Sequence, residues 1–554
     1  MKNKTTKKIL ALCTVAVLAL SGCGAAGNEA EPVQQPVTVE TTEVQSTQIE
    51  EVSSTQQTTE QAQTQVNEEP KETTEVAMSR VTVHDPSVVF DNGTYYIFGS
   101  HMAWAKSTDL MNWETFKMNI NPDYSKLFGK EWEEYCKTAS NPNLSGNLWA
   151  PDVIYNPNMN KYCMYMSVNG DDWNSVIVML TADSIEGPYE YVGPVVYSGF
   201  NTSNHDVNLT DVYKVLGDGA DLTRYQNIKN TKLNAIDPCV TFDEDGSLWM
   251  AYGSWFGGLY MLKLDANTGL RDYNTTYETV ANESDQYYGH KIHGGFGVSG
   301  EGPYIIQKDG YYYLFVSYGG LVADGGYQIR IFRSENITGP YVDQNGTSAV
   351  YTKECNDLFE EVGVRIMGSY DWSGNREIRV AQGHNSAYVA EDGKIYMIYH
   401  SRFADGKNGI AEAHEVRVQQ LFVNEDGWLV AAPYEYAGEE ISSEGYSMEE
   451  MCGDYEFIIH TPTTYYQKVG KATVGIMQPS KITLNEDGSV SGELTGTWTY
   501  EEGTPNMTIT VDGTEYKGVF LKMPSEKLYF NPDEREVVMT FSVLGDNVTA
   551  WGSK

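Results

Sequence analysis

Hydrophobic and polar positions follow one repeated unit through most of the chain. A polar residue precedes a short apolar run, a turn follows at Gly or Asn, and an apolar-aromatic run then ends in Ser. This pattern predicts a β-hairpin at each occurrence, because β-branched and aromatic runs around a short polar turn are typical of paired strands. The five copies span residues 84–100, 150–167, 236–254, 300–317 and 383–401.

The spacing of the five hairpins indicates how they are arranged. Long and uneven intervals separate the copies, and one or two further strand-like runs follow each of them. Repeats of this kind are typical of propeller blades with loops of different length between them, at roughly four strands per blade. Helical periodicity is scarce in this part of the chain. The sequence therefore predicts an all-β fold in which residues 80–437 form a five-bladed β-propeller.

The pattern changes near the end of the propeller segment. Residues 438–554 contain many alternating strands without the hairpin motif, which predicts a C-terminal antiparallel β-barrel or sandwich. Two roles are open for this domain, packing against the propeller or binding sugar. We favour packing, because no cluster of exposed aromatic residues stands out.

The first residues are typical of a targeting segment. Residues 1–23 combine an N-terminal group of lysines with a short apolar core that ends in Leu20-Ser21-Gly22-Cys23. This ending resembles a bacterial lipobox, so we expect a lipoprotein signal peptide with lipid attached at Cys23. The alternative is an ordinary secretory signal in which Cys23 is incidental. The first interpretation places the protein on the extracellular face of a bacterial cell membrane, in contact with it only through the anchor.

Residues 24–79 differ in composition from the rest of the chain. They are rich in Thr, Gln and Glu, and residues 24–79 contain no aromatic side chain. Such a segment cannot bury enough apolar area to offset its chain entropy. We therefore predict a disordered tether between the anchor and the folded part.

Net charge narrows the range of partners. The chain has 76 acidic and 38 basic residues, a formal charge of −38, which disfavours nucleic acid and, less firmly, a strongly anionic polysaccharide. No second apolar run reaches 18 residues. The seven cysteines are scattered without the spacing of a metal site. We expect a monomer.

Acidic residues recur where the blades begin. The first strand of a propeller blade lines the central channel, so the polar residues at the strand starts converge at one mouth. These residues are Asp85, Asp152, Asp237, Glu301 and His384. The loops after the second strands lie beside the same mouth. They supply candidate substrate-binding residues that are equally open to a packing role at the rim: Trp104, Asn169, Trp255, Phe256 and Tyr318.

Clustered acids beside aromatic rings indicate glycoside hydrolysis. One carboxylic acid protonates the leaving oxygen and a second carboxylate stands opposite, while aromatic rings stack on sugar C–H faces. Glu301 lies at an apolar, Gly-flanked strand start, which suits the acid, although a solvated strand-end glutamate is the simpler alternative. Asp85 lies across the channel and suits the base. Asp237 lies one blade from Glu301, where its charge would tune the partner. Spacing alone does not fix these roles.

Five motifs carry a family resemblance. They are His84-Asp85-Pro86, Trp149-Ala150-Pro151-Asp152, Ala235-Ile236-Asp237-Pro238, Ser299-Gly300-Glu301-Gly302-Pro303 and Gly383-His384-Asn385. In this order they resemble the blade motifs of glycoside hydrolase family 43, and most closely those of its endo-α-1,5-L-arabinanases, over about residues 81–433. The resemblance implies a five-bladed propeller and an inverting mechanism. It implies Asp85 as general base, Asp237 as pKa modulator and orienting group, and Glu301 as general acid.

The resemblance also implies a calcium ion near the channel centre, bound mainly through water and a histidine that matches His384. The residues alone favour His384 as a packed blade residue, because calcium prefers oxygen ligands. Asp152 aligns with the acids by position but is left outside the catalytic set.

Three functions remain open from the sequence. The first is endo-hydrolysis of α-1,5-arabinofuranosidic bonds in arabinan, the neutral side chains of pectin. The second is another family 43 activity, a β-xylosidase or an exo-arabinofuranosidase, or a fructan-processing variant; these would show Arg-Asp-Pro where this chain has Ile236-Asp237-Pro238. The third is a non-catalytic glycan-binding surface lipoprotein. The presence of all three acids argues against it.

Overall fold

The structure, a computed structural model, describes most of the chain after the N-terminal segment. The described residues are 72–120, 131–136, 148–203, 205–229, 231–296, 300–353, 362–375, 377–461, 467–469, 472–527 and 534–554. The signal peptide, Cys23 and most of the tether therefore lie outside the described residues and stay predictions. No helix within the described ranges is both long and apolar enough to cross a membrane.

The hairpin repeats form antiparallel sheets in a propeller-like arrangement, as the sequence predicts. Four of the sheets are separate from one another. The first contains β2 Ser87–Asp91, β3 Thr94–Gly99, β4 Ala103–Ser107 and β5 Glu114–Thr115. The second contains β6 Leu148–Asn156, β7 Lys161–Val168, β8 Val176–Ala182 and β9 Glu190–Tyr197. The third contains β10 Cys239–Phe242, β11 Leu248–Tyr252, β12 Leu259–Leu264, β13 Ser284–Asp285 and β14 Gly289–His293. The last contains β19 Arg379–Val389, β20 Ile395–Phe403, β21 His414–Val423 and β22 Leu429–Ala431.

The expected fifth separate blade is not found as a sheet of its own. The hairpin at residues 300–317 does form, and it continues in order through β15 Glu301–Lys308, β16 Tyr311–Tyr318, β17 Gln328–Ser334 and β18 Val364–Met367. These four strands belong to a 13-stranded sheet, because β18 also pairs with a strand of the C-terminal domain. The connection is one parallel bridge between Arg365 and Val548. A single bridge thus joins what the repeat pattern treats as two sheets.

The C-terminal domain is a closed antiparallel barrel. Its strands are β23 Gly453–Ile459, β26 Ser480–Leu484, β27 Ser489–Gly492, β28 Gly496–Tyr500, β29 Asn506–Val511, β30 Thr514–Pro524, β31 Glu534–Gly545 and β32 Val548–Ser553. Each strand pairs with the next one in this order, and β23 also pairs with β32, which closes the ring. Tyr455, Phe457, Trp498, Phe520 and Phe541 fill the interior, so packed side chains occupy the space a ligand would need.

Helices are short within the described residues. They are α1 Glu131–Cys136, α2 Val212–Leu216 and α3 Met448–Met451, with 3₁₀ turns at Ser100–Met102, Asp171–Trp173, Val207–Leu209 and Thr223–Gln226. Helix α3 begins with a capping box, in which Ser447 and Glu450 each satisfy the other's backbone N–H. A small hairpin of β24 Gln467–Val469 and β25 Ala472–Val474 completes the described elements.

The predicted tether ends earlier than expected. Strand β1, Thr73–Glu75, lies inside the stretch 24–79 that composition predicts to be disordered, yet it pairs with β31 of the barrel. Val76 is buried, and Arg80 forms ion pairs with Glu415 and Glu435. The short strand is held by pairing and burial that low-complexity composition does not reveal.

The cysteines behave as the sequence indicates. Cys163 and Cys239 lie buried in blade strands, and Cys136 and Cys452 are also free thiols among the described residues. The Sγ atom of Cys239 accepts a hydrogen bond from the backbone N–H of Ile305 at 3.3 Å. These side chains therefore pack as small hydrophobic groups.

Candidate active site

The backbone turns in the same way just before the apolar run that opens each of the five hairpins. One residue there adopts a positive φ, between 38° and 57°. The five residues are Asp85, Ala150, Asp237, Gly302 and His384. Non-glycine residues rarely adopt this conformation, and it is concentrated at functional sites where the surrounding structure holds it. At Gly302 a Cβ atom would also meet the His384 ring at 3.0 Å.

This register corrects the alignment of the polar residues. Asp85 is matched by Asp237 and His384, but in the second blade its equivalent is Ala150, and Asp152 lies two positions later. Glu301 lies one position earlier than the equivalent Gly302. Asp152 accordingly has a different environment. Its carboxylate accepts hydrogen bonds from Ser87 Oγ at 2.5 Å and from the backbone N–H of Val240 at 2.6 Å, which ties three blades together.

Serines that end three of the hairpins hold the next strand start in place. Ser100 Oγ accepts from the N–H of Ala150 at 2.8 Å, and Ser167 Oγ accepts from the N–H of Asp237 at 2.9 Å. Ser317 Oγ accepts from the N–H of His384 at 2.7 Å. Ser254 instead donates to Glu301 Oε2 at 3.2 Å. The repeated serine was visible in the sequence, but its role in fixing the strained turns was not.

Asp85 is buried among histidines and a serine. His84 Nδ1 lies 2.7 Å from Asp85 Oδ2, and His384 Nδ1 lies 3.0 Å from Oδ1. Ser100 Oγ donates to Oδ2 at 2.5 Å. Burial would raise the pKa of Asp85, but the charges of His384 and then His84 outweigh it and hold that pKa well below its usual value. The carboxylate is therefore ionised at neutral pH.

Both side-chain oxygens of Glu301 accept hydrogen bonds. Trp255 Nε1 donates to Oε2 at 2.6 Å, and the Tyr327 hydroxyl donates to Oε1 at 2.7 Å. The Ser254 hydroxyl adds a third, longer contact to Oε2. Only 8% of the residue is exposed, so the acid is not the solvated strand-end glutamate that the isolated hairpin allowed. Tyr327 was not identified from the sequence, because it lies on the approach to β17, outside the hairpin motif.

Asp237 lies between the other two acids in the network. It accepts a hydrogen bond at Oδ2 from the N–H of Gly302, the residue after Glu301, at 3.1 Å. Burial raises the pKa of Asp237 to about 7, aided by the charges of Glu301 and Asp85 and opposed by His384. For His384 the opposite balance holds. Burial lowers its pKa, but Asp85, Asp237 and Glu301 raise it to about 9. The structure thus brings together all three predicted acids and the predicted histidine.

The chain is similar in sequence to known glycosyl hydrolases. A model of glycosyl hydrolases family 43 matches residues 77–212 and 220–429, and a model of a C-terminal lipocalin-like domain matches residues 433–552. The extracellular endo-α-(1→5)-L-arabinanase 2 of Bacillus subtilis (strain 168) is 38% identical over 488 residues, which cover 86% of this chain and 93% of that protein. The chain belongs to glycosyl hydrolase family 43.

Two further similarities come from Thermotoga petrophila. Its extracellular endo-α-(1→5)-L-arabinanase is 38% identical over 483 residues, covering 85% of this chain and 93% of that protein. A crystal structure of endo-1,5-α-L-arabinanase from this organism matches with a TM-score of 0.71 and 34% identity, covering 87% of this chain and all of that one. The family predicted from the blade motifs is confirmed, and the chain is a glycoside hydrolase.

The prediction that Trp104 and Tyr318 bind substrate in this family 43 enzyme is wrong. Trp104 already lies on β4, where 2% of it is exposed and its ring packs against Phe98. Tyr318 is fully buried at the end of β16, and its hydroxyl hydrogen-bonds His293 Nε2 at 2.6 Å and Tyr351 at 3.0 Å. Both follow a second strand in sequence, but both rings turn into the blade core.

The other aromatic candidates stand beside the acids. Trp255 is partly exposed and reaches Glu301 through its indole N–H. The Phe256 ring stacks on Trp173, with centroids 4.6 Å apart and planes inclined by 25°. Trp173 was not among the residues predicted to bind substrate. Asn169 Oδ1 accepts from Asn234 Nδ2 at 2.7 Å, which braces the same loop, and its contact with substrate stays a prediction.

Several groups near Asp85 are suited to a cation. The ligand atoms of His84, Asp85 and His400 lie within 4.8 Å of one another. Next to His384 on β19, Gln382 Oε1 and Asn385 Oδ1 are buried and have no hydrogen-bond partner among the described residues. Buried oxygen atoms of this kind are satisfied by water or by a hard cation. The donor set therefore fits an ion reached partly through water.

Proposed function

We propose that this enzyme is an inverting endo-α-1,5-L-arabinanase that cleaves internal bonds of arabinan. One observation carries the proposal: Asp85, Asp237 and Glu301 are buried together and linked through His384 and Gly302, and the partly exposed Trp255 donates to Glu301. Two of the relatives to which the chain is 38% identical over most of its length carry the endo-arabinanase name. Linear arabinan is neutral, which is compatible with the net charge of −38.

Glu301 is the general acid in this proposal. Its carboxyl group protonates the leaving glycosidic oxygen, and Trp255 and Tyr327 fix the direction in which it points. Asp85 is the general base. It is ionised, oriented by His84 and His384, and accepts a proton from the water that attacks the opposite face of the sugar. Inversion requires room for this water, with the two carboxyl groups roughly 6.5–9.5 Å apart.

Asp237 orients and tunes the pair. Its bond to the N–H of Gly302 fixes the backbone that carries Glu301. The two carboxyl groups are close enough to interact, and the charge of Glu301 is one of the causes that raise the pKa of Asp237. Trp255, Phe256 and Trp173 supply ring faces for sugars on either side of the scissile bond.

Three finer features belong to the same proposal. Strands β15–β18 form the fifth blade of the propeller, since their first strand carries the same positive-φ turn as the other four. Gln382 and Asn385, which flank His384 on β19, would hold a calcium ion partly through water, and the ion would supply positive charge next to the acids. Cys23 carries a lipid that holds the enzyme at the outer face of the cell membrane, as the lipobox-like ending indicates.

Product analysis tests the proposed activity. Purified enzyme that begins at residue 69 should cut linear debranched arabinan into short oligosaccharides and leave xylan intact. Release of arabinose alone from chain ends would contradict endo action. Proton NMR of the first-formed anomer should show inverted configuration.

Glu301→Gln should lose nearly all turnover while it still binds oligosaccharide, and retained turnover would remove Glu301 from the acid role.

Separate experiments test the ion and the anchor. Chelator treatment should lower both the activity and the thermal midpoint, and calcium alone should restore both. If neither changes, the proposed calcium site is not supported.

Cys23→Ser should abolish incorporation of a labelled fatty acid and release the enzyme from the membrane fraction, whereas unchanged labelling would refute the anchor.

A further inference from the structure

A second concave surface lies at the far end of the first blade. A cavity of about 400 Å³ opens between the β2–β3 turn and the β6–β7 turn. Its lining residues are Val89, Phe90, Asp91, Tyr155, Asn160, Tyr162 and Asp183. Asp85 precedes β2 and Asp91 ends it, so a strand of this length separates the cavity from the catalytic base by about 20 Å. The volume falls within the range of ligand sites, and none of its residues belongs to the active site.

Aromatic rings line this surface and extend beyond the cavity. Phe90 and Tyr155 are 37% and 43% exposed, which is unusual for large rings. Tyr155 lies against Tyr162, with centroids 5.2 Å apart, and Phe90 lies 4.7 Å from Tyr95 and 5.4 Å from Tyr388. We name these five rings the aromatic strip. It crosses three neighbouring sheets, those that contain β6, β2 and β19.

The rings of the strip are fixed by polar partners. The Tyr162 hydroxyl donates to Asp91 Oδ1 at 2.7 Å, and the Tyr155 hydroxyl donates to Asn160 Oδ1 at 2.7 Å. Each partner oxygen keeps further capacity as an acceptor, because a carboxylate or amide oxygen has two lone pairs. The strip therefore presents oriented ring faces next to hydrogen-bond acceptors before any ligand arrives. Such preorganisation reduces the entropy lost on binding.

The charges of the strip identify the class of ligand. Asp91, Asp183 and Asp392 are acidic groups near its rings. Lys161 is paired with Asp183 at 2.5 Å, and Lys394, near Tyr95, is paired with Asp392 at 3.3 Å. An anionic ligand would be repelled. Ring faces stack on the C–H faces of sugars, and carboxylates accept hydrogen bonds from sugar hydroxyls. A row of rings over three sheets matches a chain of several sugars better than a single one.

We propose that the aromatic strip is a second binding site for a neutral polysaccharide chain, separate from the active site. The identity of that chain as linear arabinan rests on the proposed function. A site at this distance cannot contribute to bond cleavage directly. It holds the polymer on the enzyme between cleavage events and so raises the local concentration of substrate bonds at the catalytic mouth.

The test compares binding of the polymer with cleavage of short oligosaccharides. Retardation in native gels that contain linear arabinan measures polymer binding, in a Glu301→Gln background so that the gel polysaccharide is not consumed. Tyr155→Ala and Phe90→Ala remove rings from the strip, and Tyr155→Phe keeps the ring. Tyr273→Ala is the matched control, because Tyr273 is also 43% exposed and does not line the cavity.

Only the loss of a ring from the strip should weaken binding of the polymer. Tyr155→Ala and Phe90→Ala should each raise the apparent Kd for arabinan about fivefold, the effect of losing one ring contact, while Tyr155→Phe and Tyr273→Ala leave it unchanged. With Glu301 intact, kcat/KM on short arabino-oligosaccharides should not change. If arabinan in the gel retards Tyr155→Ala as much as the Glu301→Gln parent, the strip does not bind arabinan. If arabinan does not retard the parent at all, the same conclusion follows. Strip-dependent retardation without any arabinan hydrolysis would instead refute only the proposed activity.

Discussion

At the scale of single residues, contacts between blades position the acids of the candidate site. Asp85, Asp237 and Glu301 stand in short motifs that are easy to recognise. The positive φ angles that aim the first two arise from contacts between blades, such as the bond from Asp237 N–H to Ser167, and no local pattern encodes them. Trp104 was misassigned for a related reason, because sequence position does not show whether a ring faces the channel or the core.

The hydroxyl of Tyr327 offers a direct test of how the proposed acid is positioned. Tyr327→Phe removes the hydrogen bond to Glu301 Oε1 and little else, since the ring stays in place. Because an ordinary hydrogen bond contributes about 0.5–1.5 kcal/mol, we expect kcat to fall about three- to tenfold with little change in KM. Steady-state kinetics on linear arabinan measure both values.

Tyr318→Phe serves as the control for this substitution. Tyr318 is an equally buried tyrosine whose hydroxyl bonds His293 and Tyr351 rather than an acid. Tyr318→Phe should lower the free energy of unfolding without changing kcat. Identical kinetic effects of the two substitutions would assign Tyr327 a structural role only.

At the scale of strands and sheets, the alternation of apolar runs and turns predicted the hairpins correctly. What it missed are features carried by few residues. The bridge from Arg365 to Val548 merges two sheets through one residue pair. Strand β1 has three residues, Thr73–Glu75, in a stretch whose composition otherwise matches a disordered segment. Hydrophobic periodicity needs several apolar positions, and neither feature supplies them.

Asp152 connects β6 with β2 and β10, and its burial makes the connection sensitive to pH. Burial raises the pKa of Asp152 to about 6, above the usual value near 4 in the unfolded chain. The folded state therefore binds the proton more tightly. The stability this provides is complete below about pH 4 and is lost as pH rises through 6, by about 2–3 kcal/mol.

Asp152→Asn should remove this pH dependence. The amide oxygen can accept from Val240 N–H, and the amide N–H₂ can donate to Ser87 Oγ, because a serine hydroxyl also accepts. We expect the variant to gain stability relative to the parent between pH 4 and 7, measured by urea unfolding at several pH values. Parallel stability curves for the two proteins would show that Asp152 does not titrate in this range.

Strand β1 should stabilise the barrel against which it pairs. A variant that begins at residue 80 loses the pairing with β31 and the buried side chain of Val76. Burial of one valine contributes about 1.5–2 kcal/mol, so we expect earlier urea unfolding than for a variant that begins at residue 69. Activity per folded molecule should be equal, because neither variant changes the catalytic mouth. Coincident unfolding curves would show that β1 is dispensable.

At the scale of the whole molecule, a buried ion network joins the propeller to the barrel. Arg417 on β21 is 2% exposed and binds Glu526 of the barrel at 2.5 Å and Glu435 of the connecting segment at 3.2 Å. Glu526 also accepts from the N–H of Glu435 at 2.6 Å. The sequence contains these charges without any sign of their pairing, because the partners lie 18 and 109 positions from Arg417.

Glu526→Gln tests whether this network couples the two domains. Burial raises the pKa of Glu526, but Arg417 and Arg535 outweigh it and lower that pKa to about 2. The ion pair therefore stabilises the fold above the unfolded pKa of about 4.3, and this contribution is lost as pH falls toward 2. Removing one partner of a buried pair typically costs about 3–5 kcal/mol. At neutral pH the variant should show a lower thermal midpoint and a barrel transition that separates from that of the propeller in calorimetry.

Glu440→Gln is the matched control, because Glu440 pairs with Lys394 at 2.5 Å but its side chain is 64% exposed. An exposed pair contributes less than about 1 kcal/mol, so this variant should unfold in the same single step as the parent. The loss caused by Glu526→Gln should be constant from pH 8 to about 5 and should shrink below that, because the carboxyl of the unfolded parent becomes protonated near about pH 4.3 while the folded one stays ionised to about pH 2. One unchanged transition for Glu526→Gln would mean that other contacts couple the barrel to the propeller, among them the β18–β32 bridge and the hydrogen bond from Asn424 Nδ2 to the Lys517 carbonyl.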